Sequence, residues 1–215
     1  MNVLSFLVDF IIHIDVHLAE LTAQYGPWIY VILFLIVFAE TGLVIAPFLP
    51  GDSLLFAAGT ICALGGMNVW LLMGILVVAA ILGDTINYSV GRRFGRGLVK
   101  GPLARFIKPA HLERTHAFYE KYGGKTIIFA RFVPIVRTFA PFVAGIGTMN
   151  YRTFIYYNVV GGLVWVVSFT LLGYYFGTLE FIRKQFSLVI LAIIIISVLP
   201  GVVELVRARR ARKAT

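Results

Sequence analysis

The sequence predicts an all-α integral membrane protein built as an inverted repeat. The plan has two opposed re-entrant hairpins, about three full transmembrane helices and amphipathic helices at the interface. Three observations lead there. Apolar residues make up 60% of the chain and charged residues only 13%, too little polar surface for a soluble domain of 215 residues. Long blocks at 28–39, 67–83, 154–177 and 186–203 contain no charge, and roughly 20 apolar residues suffice to cross a bilayer core. Finally, the two halves of the chain carry a similar succession of signatures, the mark of a duplicated unit.

The elements follow in order along a single membrane domain. In residues 3–22, Leu4, Leu7, Phe10, Ile11, Ile14, Leu18 and Leu21 recur at helical spacing, while Asp9, His13, Asp15, His17 and Glu20 take other positions. That pattern suits a helix lying in the interface. Residues 28–61 form the first hairpin, because Pro47, Pro50 and Gly51 interrupt an otherwise apolar run and remove backbone donors. Residues 67–90 are a full span. The segment 92–125 is basic and contains an amphipathic helix over 109–122. Residues 126–147 would carry Arg131 and Arg137 through the bilayer, each at about 2.5–3.5 kcal/mol on insertion scales. A second re-entrant hairpin broken at Pro134 avoids exposing them to lipid, since irregular backbone is tolerated where it lines a protein cavity. Residues 153–177 and 186–206 are the remaining spans, and 207–215 is a basic tail.

The repeat rests on paired signatures. Tyr25-Gly26 and Tyr122-Gly123 each follow an amphipathic stretch. Pro50-Gly51-Asp52 in the first half answers Pro134-Ile135-Val136-Arg137 in the second, and Ala58-Gly59 answers Ala144-Gly145. Gly91-Arg92-Arg93-Phe94-Gly95 answers Gly173-Tyr174-Tyr175-Phe176-Gly177. Residue by residue the match is weak, and similarity by chance among apolar segments is the competing explanation.

The net charge of +9 is distributed in a way that excludes nucleic-acid binding as its explanation. All 19 Lys and Arg residues lie after position 91, and most of them crowd into 92–125 and the tail Arg207, Arg209, Arg210, Arg212 and Lys213. By the positive-inside rule both clusters face the cytoplasm, where they also attract anionic lipid. A full span at 153–177 then puts Gly177 on the side opposite the first signature, so the repeats are antiparallel, a recurrent plan in transporters. A flat 3–22 leaves the N-terminus periplasmic and a spanning one leaves it cytoplasmic; the flat arrangement is favoured. The N-terminus lacks the positive flank of a signal peptide and is read as mature structure.

Four ionisable residues fall at membrane depth, where a charge is costly and signals function. Glu40 follows twelve apolar residues. Asp52 opens the second arm of the first hairpin; N-capping that helix is its ordinary role. Either carboxylate is a candidate proton carrier. Arg131 and Arg137 lie on either side of Pro134, and a break there lets both reach one cavity, where two guanidinium groups can grip a phosphate. The competing explanation is that the two arginines neutralise Glu40 and Asp52. Asp84, Asn87 and Tyr88 form a weaker supporting group, in which Asp84 is expected to tether a neighbouring polar residue. Pro50, Gly51, Pro134 and Pro141 shape the hairpins. Cys62 is the only cysteine and reads as a small buried hydrophobe, and the four histidines show no ligand-like clustering. No metal, no cofactor and no enzymatic chemistry is expected.

At these residues the sequence resembles the DedA family. The run Glu40-Thr-Gly-Leu-Val-Ile-Ala-Pro47-Phe-Leu-Pro50-Gly51-Asp52-Ser53 is similar to its first signature. Gly83-Asp84-Thr-Ile-Asn87-Tyr88-Ser-Val-Gly91-Arg92 resembles the second. Arg131-Phe-Val-Pro134-Ile-Val-Arg137-Thr-Phe-Ala-Pro141-Phe-Val-Ala-Gly145 resembles the third. The likeness covers essentially the whole chain. It implies a bacterial inner-membrane protein that translocates a phosphate-headed lipid, most readily undecaprenyl phosphate, with coupling to the proton-motive force. Phosphatidylethanolamine and other phospholipids are further candidate substrates. The family's acidic pair falls on Glu40 and Asp52 and its arginine pair on Arg131 and Arg137. Two alternatives stay open: an energy-independent phospholipid scramblase, and a proton-coupled exporter of small cations or drugs. Association into a homo-oligomer is compatible with the sequence.

Overall fold

The computed structural model describes residues 14–43, 51–100, 109–147, 149–180, 182, 188–189 and 191–193. Among them all regular structure is helical: α1 (Ile14–Tyr25), α2 (Trp28–Gly42), α3 (Gly51–Ala63), α4 (Val69–Lys100), α5 (Pro109–Tyr122), a 3-10 turn (Gly123–Lys125), α6 (Thr126–Ala130), α7 (Pro134–Ile146) and α8 (Tyr151–Phe176). The start of the expected 3–22 helix, the segment 44–50 with Pro47 and Pro50, most of the expected 186–206 span and the 207–215 tail lie outside the described residues.

Helix length separates two classes. Apolar stretches of 27 residues in α4 (Val69–Gly95) and 26 residues in α8 (Tyr151–Phe176) are long enough to cross a bilayer, and they coincide with the spans expected at 67–90 and 153–177. The 15 residues of α2 and the 13 of α3, at about 1.5 Å each, fall short of a hydrocarbon core roughly 30 Å thick.

Local chemistry sets the helix ends. Asn68 caps α4, its Oδ1 accepting from the backbone N–H groups of Trp70 and Leu71 at 3.0 Å each, while its own N–H donates to the Tyr30 hydroxyl at 2.8 Å. The two Tyr-Gly signatures do the same job in each half. Gly26 (φ 51°) follows the last residue of α1 and Gly123 (φ 58°) the last residue of α5, each in the left-handed conformation that lets a helix stop. Between α6 and α7 the chain tightens through Arg131 N–H to Ile128 C=O (3.3 Å), Phe132 to Phe129 (3.2 Å) and Val133 to Ala130 (2.9 Å). Val133 is then extended (φ −124°, ψ 101°), as the residue before a proline must be, and Pro134 opens α7. The break expected at Pro134 is therefore a helix end at Ala130, a three-residue turn and a new helix starting at Pro134.

The chain forms two compact units. One comprises 1–37, 48–79 and 163–195; the other comprises 38–47, 80–162 and 196–215. In the first, α3 is buried along Gly51–Cys62 and packs on the C-terminal part of α8 by direct backbone approach. A Cβ at Gly173 would strike the carbonyl of Phe56, and one at Gly59 would strike Thr170 O and Tyr174 N. The Thr60 hydroxyl donates within this contact to Gly173 C=O at 3.1 Å.

The second unit repeats that register with other residues. A Cβ at Gly91 would strike the carbonyl of Phe142, and one at Gly145 would strike Tyr88 O and Arg92 N. Gly59 thus meets the residues three before and one after Gly173, as Gly145 meets those three before and one after Gly91. Small residues at such contacts let membrane helices approach closely. Around them Tyr88 stacks on Phe154 with ring centroids 4.3 Å apart, and its hydroxyl donates to Met149 C=O at 2.5 Å. Ile127, Ala130, Val136, Ala140 and Ala144 complete this core. The Tyr119 hydroxyl ties α5 to α7 through Ala140 C=O at 2.9 Å. Burial, and secondarily the negative charge of Asp84, push this phenol far up, so it stays a donor at any ordinary pH.

Candidate functional site

Two buried arginine–carboxylate pairs dominate the second unit. Arg137, in the first turns of α7, donates from Nη2 to Glu40 Oε1 at the end of α2. Arg131, in the turn before α7, donates from Nη2 to Asp84 Oδ2 on α4. Side-chain exposures are 11% and 2% for Arg137 and Glu40, and 2% and 4% for Arg131 and Asp84. At that burial each ion needs its partner, because a lone charge taken out of water costs several kcal/mol.

Arg131 is the more elaborately held. Its Nη2 also donates to Asn158 Oδ1 at 2.6 Å, and the Asn158 amide nitrogen donates in turn to Ile81 C=O at 3.1 Å and to Thr85 Oγ1 at 3.4 Å. The guanidinium lies along a stretch of α8 that lacks side chains: a Cβ on Gly161 would come within 3.1 Å of Arg131 Nε, and one on Gly162 within 3.6 Å of Nη2. Asn158, Gly161 and Gly162 make a trough for one arginine, and sequence reasoning passed over all three. A carboxamide and a glycine pair inside an apolar span were the available signal.

Asn87, one turn beyond Asp84 on α4, is fully buried. Its amide nitrogen donates to Thr41 C=O (3.3 Å) and Thr138 C=O (3.0 Å). Tyr88 receives a hydrogen bond from Arg92 Nη1 at 3.2 Å and belongs to the aromatic core already described. Pro134 starts α7, and Pro141 inside it has no N–H to return to the Arg137 carbonyl, loosening the helix below that residue.

Asp52 belongs to the first unit. It stands in the first turn of α3, directly after Gly51, and its Oδ1 accepts from the indole N–H of the fully buried Trp165 at 2.8 Å. Pro50 lies outside the described residues. The sequence suggested Glu40 and Asp52 as partners of the two arginines. Glu40 is one, but the carboxylate on Arg131 is Asp84, so the supporting group expected around 84–88 contributes a full ion pair.

The VTT domain family matches residues 49–175. Over 213 residues the chain is 56% identical to Protein DedA of Escherichia coli strain K12, covering 98% of this chain and 97% of that protein. It is 44% identical over 183 residues to an uncharacterized membrane protein of Mycobacterium tuberculosis (84% of this chain, 80% of the relative). It is 40% identical over 151 residues to the inner membrane protein YqjA of Escherichia coli (69% and 68%). No solved structure matches. A VTT domain over most of its helices, with near full-length identity to Protein DedA, makes this chain a membrane protein of the DedA family.

Proposed function

We propose that the protein translocates a phosphate-headed lipid, undecaprenyl phosphate first among the candidates, across the bacterial inner membrane with the help of the proton-motive force. The observation that carries this reading is the buried Arg137–Glu40 pair beside a second buried arginine. A guanidinium fork matches phosphate as well as carboxylate, so a lipid phosphate can replace Glu40 on Arg137. Protonation of Glu40 neutralises it and frees Arg137, which ties lipid binding to proton uptake. Asp52, held by Trp165, is the other carboxylate assigned to proton handling. A proton or lipid shifts a conformational equilibrium only by its differential affinity for the two states; the exchange of partners on Arg137 supplies one.

The matched glycine registers and the two Tyr-Gly helix ends support an inverted repeat, with α2–α3 and α6–α7 as re-entrant hairpins. The short lengths of α2 and α3 favour the same reading. The basic residues after position 91 argue for a cytoplasmic C-terminus. In this reading the protein is a transporter rather than an enzyme and needs no cofactor. Its partners are lipids and protons, not nucleic acid, and a homo-oligomer is allowed.

The test is binding of undecaprenyl phosphate, against phosphatidylethanolamine, to purified protein and to Arg137→Ala, followed by transport in proteoliposomes with and without a proton gradient. Selective binding lost in the folded variant, with gradient-dependent movement, is the expected result. Equal binding of both lipids with movement indifferent to the gradient would replace the carrier by a scramblase. Intact binding in Arg137→Ala would remove the site.

A further inference from the structure

The Arg137–Glu40 pair joins two helices that do not adjoin in sequence, so something must hold their main chains at the right separation. On α4, Gly83 and Asn87 stand one turn apart on the same face. At Gly83 the end of α2 comes in backbone-close: a Cβ there would strike Thr41 Oγ1 and crowd Gly42 N and Phe38 O, while Gly42 itself sits 3.4 Å from Gly83 Cα by the position its own Cβ would take. One turn further, the Asn87 amide nitrogen donates to the carbonyls of Thr41 and Thr138. Both partners can only accept, which fixes the orientation of the amide without ambiguity. Thr41 follows Glu40 and Thr138 follows Arg137. Thr41 also lies in the last turn of α2, where a helix leaves its carbonyls without intrahelical donors. One carboxamide therefore bolts together the two peptide units adjacent to the two members of the ion pair.

We propose that Asn87 is a positioning residue: by bridging the Thr41 and Thr138 carbonyls it sets the geometry in which Arg137 meets Glu40 and, in the transport reading on which this rests, the lipid phosphate. A merely space-filling asparagine would be replaceable by leucine, which has nearly its shape and no donor. A positioning asparagine would not, and its effect would run through Arg137.

The experiment is a double-mutant cycle on the full-length protein in nanodiscs, with undecaprenyl phosphate as the probe. Wild type, Asn87→Leu, Arg137→Ala and the double variant are compared for affinity and, separately, for unfolding midpoint. Asn87→Leu is expected to keep native helicity and a monodisperse elution, to weaken lipid binding about tenfold as misplaced groups do, and to have no further effect once Arg137 is gone. The same weakening on both backgrounds would overturn the proposal, as would unchanged binding in Asn87→Leu. If the wild type binds no lipid, the transport reading falls. The positioning role is then decided by the unfolding midpoints, where coupling between Asn87→Leu and Arg137→Ala supports it and simple additivity refutes it. Should Asn87→Leu not fold, Asn87→Ser, with a single donor that reaches at most one carbonyl, takes its place under the same criteria.

Discussion

Removing Asp84 tests the Arg131 pair directly. In Asp84→Leu a guanidinium that is 2% exposed loses its counter-ion and keeps the Asn158 carboxamide, a weaker neutral acceptor. Breaking one side of a buried pair costs about 3–5 kcal/mol, whereas replacing both members by apolar residues of similar volume is often close to neutral. At about 2–4 °C per kcal/mol for a chain of this size, Asp84→Leu should lower the unfolding midpoint by about 6–20 °C. Arg131→Met in the same chain should recover most of that loss. The assay is thermal unfolding in one detergent, followed by intrinsic fluorescence and by the loss of monodisperse protein, on the four proteins of the cycle. Should Asp84→Leu alone melt with the wild type, or should the double variant melt lower than either single one, Asp84 would not be the counter-ion that keeps Arg131 in place.

Four further outcomes follow, three from contacts already described and one from a glycine with open space beside it. Trp165→Phe removes the indole N–H from Asp52 and leaves a buried carboxylate one donor short, at about 1–3 kcal/mol; denaturant titration should show the loss, and Asp52→Leu on top of Trp165→Phe should cost less than Asp52→Leu alone. Gly173→Ala, whose new methyl would meet the Phe56 carbonyl, should unfold early. Gly74→Ala, with nothing within 4 Å of its Cβ position, should match or exceed the wild type by up to about 1 kcal/mol. Glu40→Gln keeps the shape of the carboxylate and removes its charge. It should retain lipid binding while transport loses its response to an imposed proton gradient, measured in proteoliposomes; transport still driven by the gradient would reassign proton handling away from Glu40.

Much of this architecture was legible in the sequence because its signals are local. Prolines that end helices, charge-free blocks of spanning length and a Tyr-Gly stop repeated in each half all act on neighbouring residues. The Glu40–Arg137 pair was also within reach, since few charges occur at depth and they must find one another. Partner choice for Arg131 was not. Asp84 is 47 positions away, and which carboxylate an arginine meets depends on helix packing. Trp165 and Asn158 were hidden for a related reason. In a run of apolar residues an indole reads as lipid-facing and a single carboxamide as incidental, until a helix neighbour gives each a partner. The glycines at 161 and 162 likewise say only that α8 is thin there, not what occupies the space.

The trough at 158–162 has a consequence for how the protein is made. Arg131 emerges from the ribosome before the residues that accept and make room for it: Asn158, Gly161 and Gly162 lie about 30 residues downstream, while Asp84 is already present. The 126–147 segment therefore cannot complete its burial as it is synthesised, and must wait at the membrane surface or within the insertion machinery until α8 has followed. A nascent chain halted before residue 158 should leave a cysteine placed at the neighbouring, buried Ala130 open to aqueous thiol reagents in a Cys62→Ser background with Arg131 intact, whereas one released beyond 177 should protect it. Assembly of the charged centre is thus timed by the later of its two supporting helices.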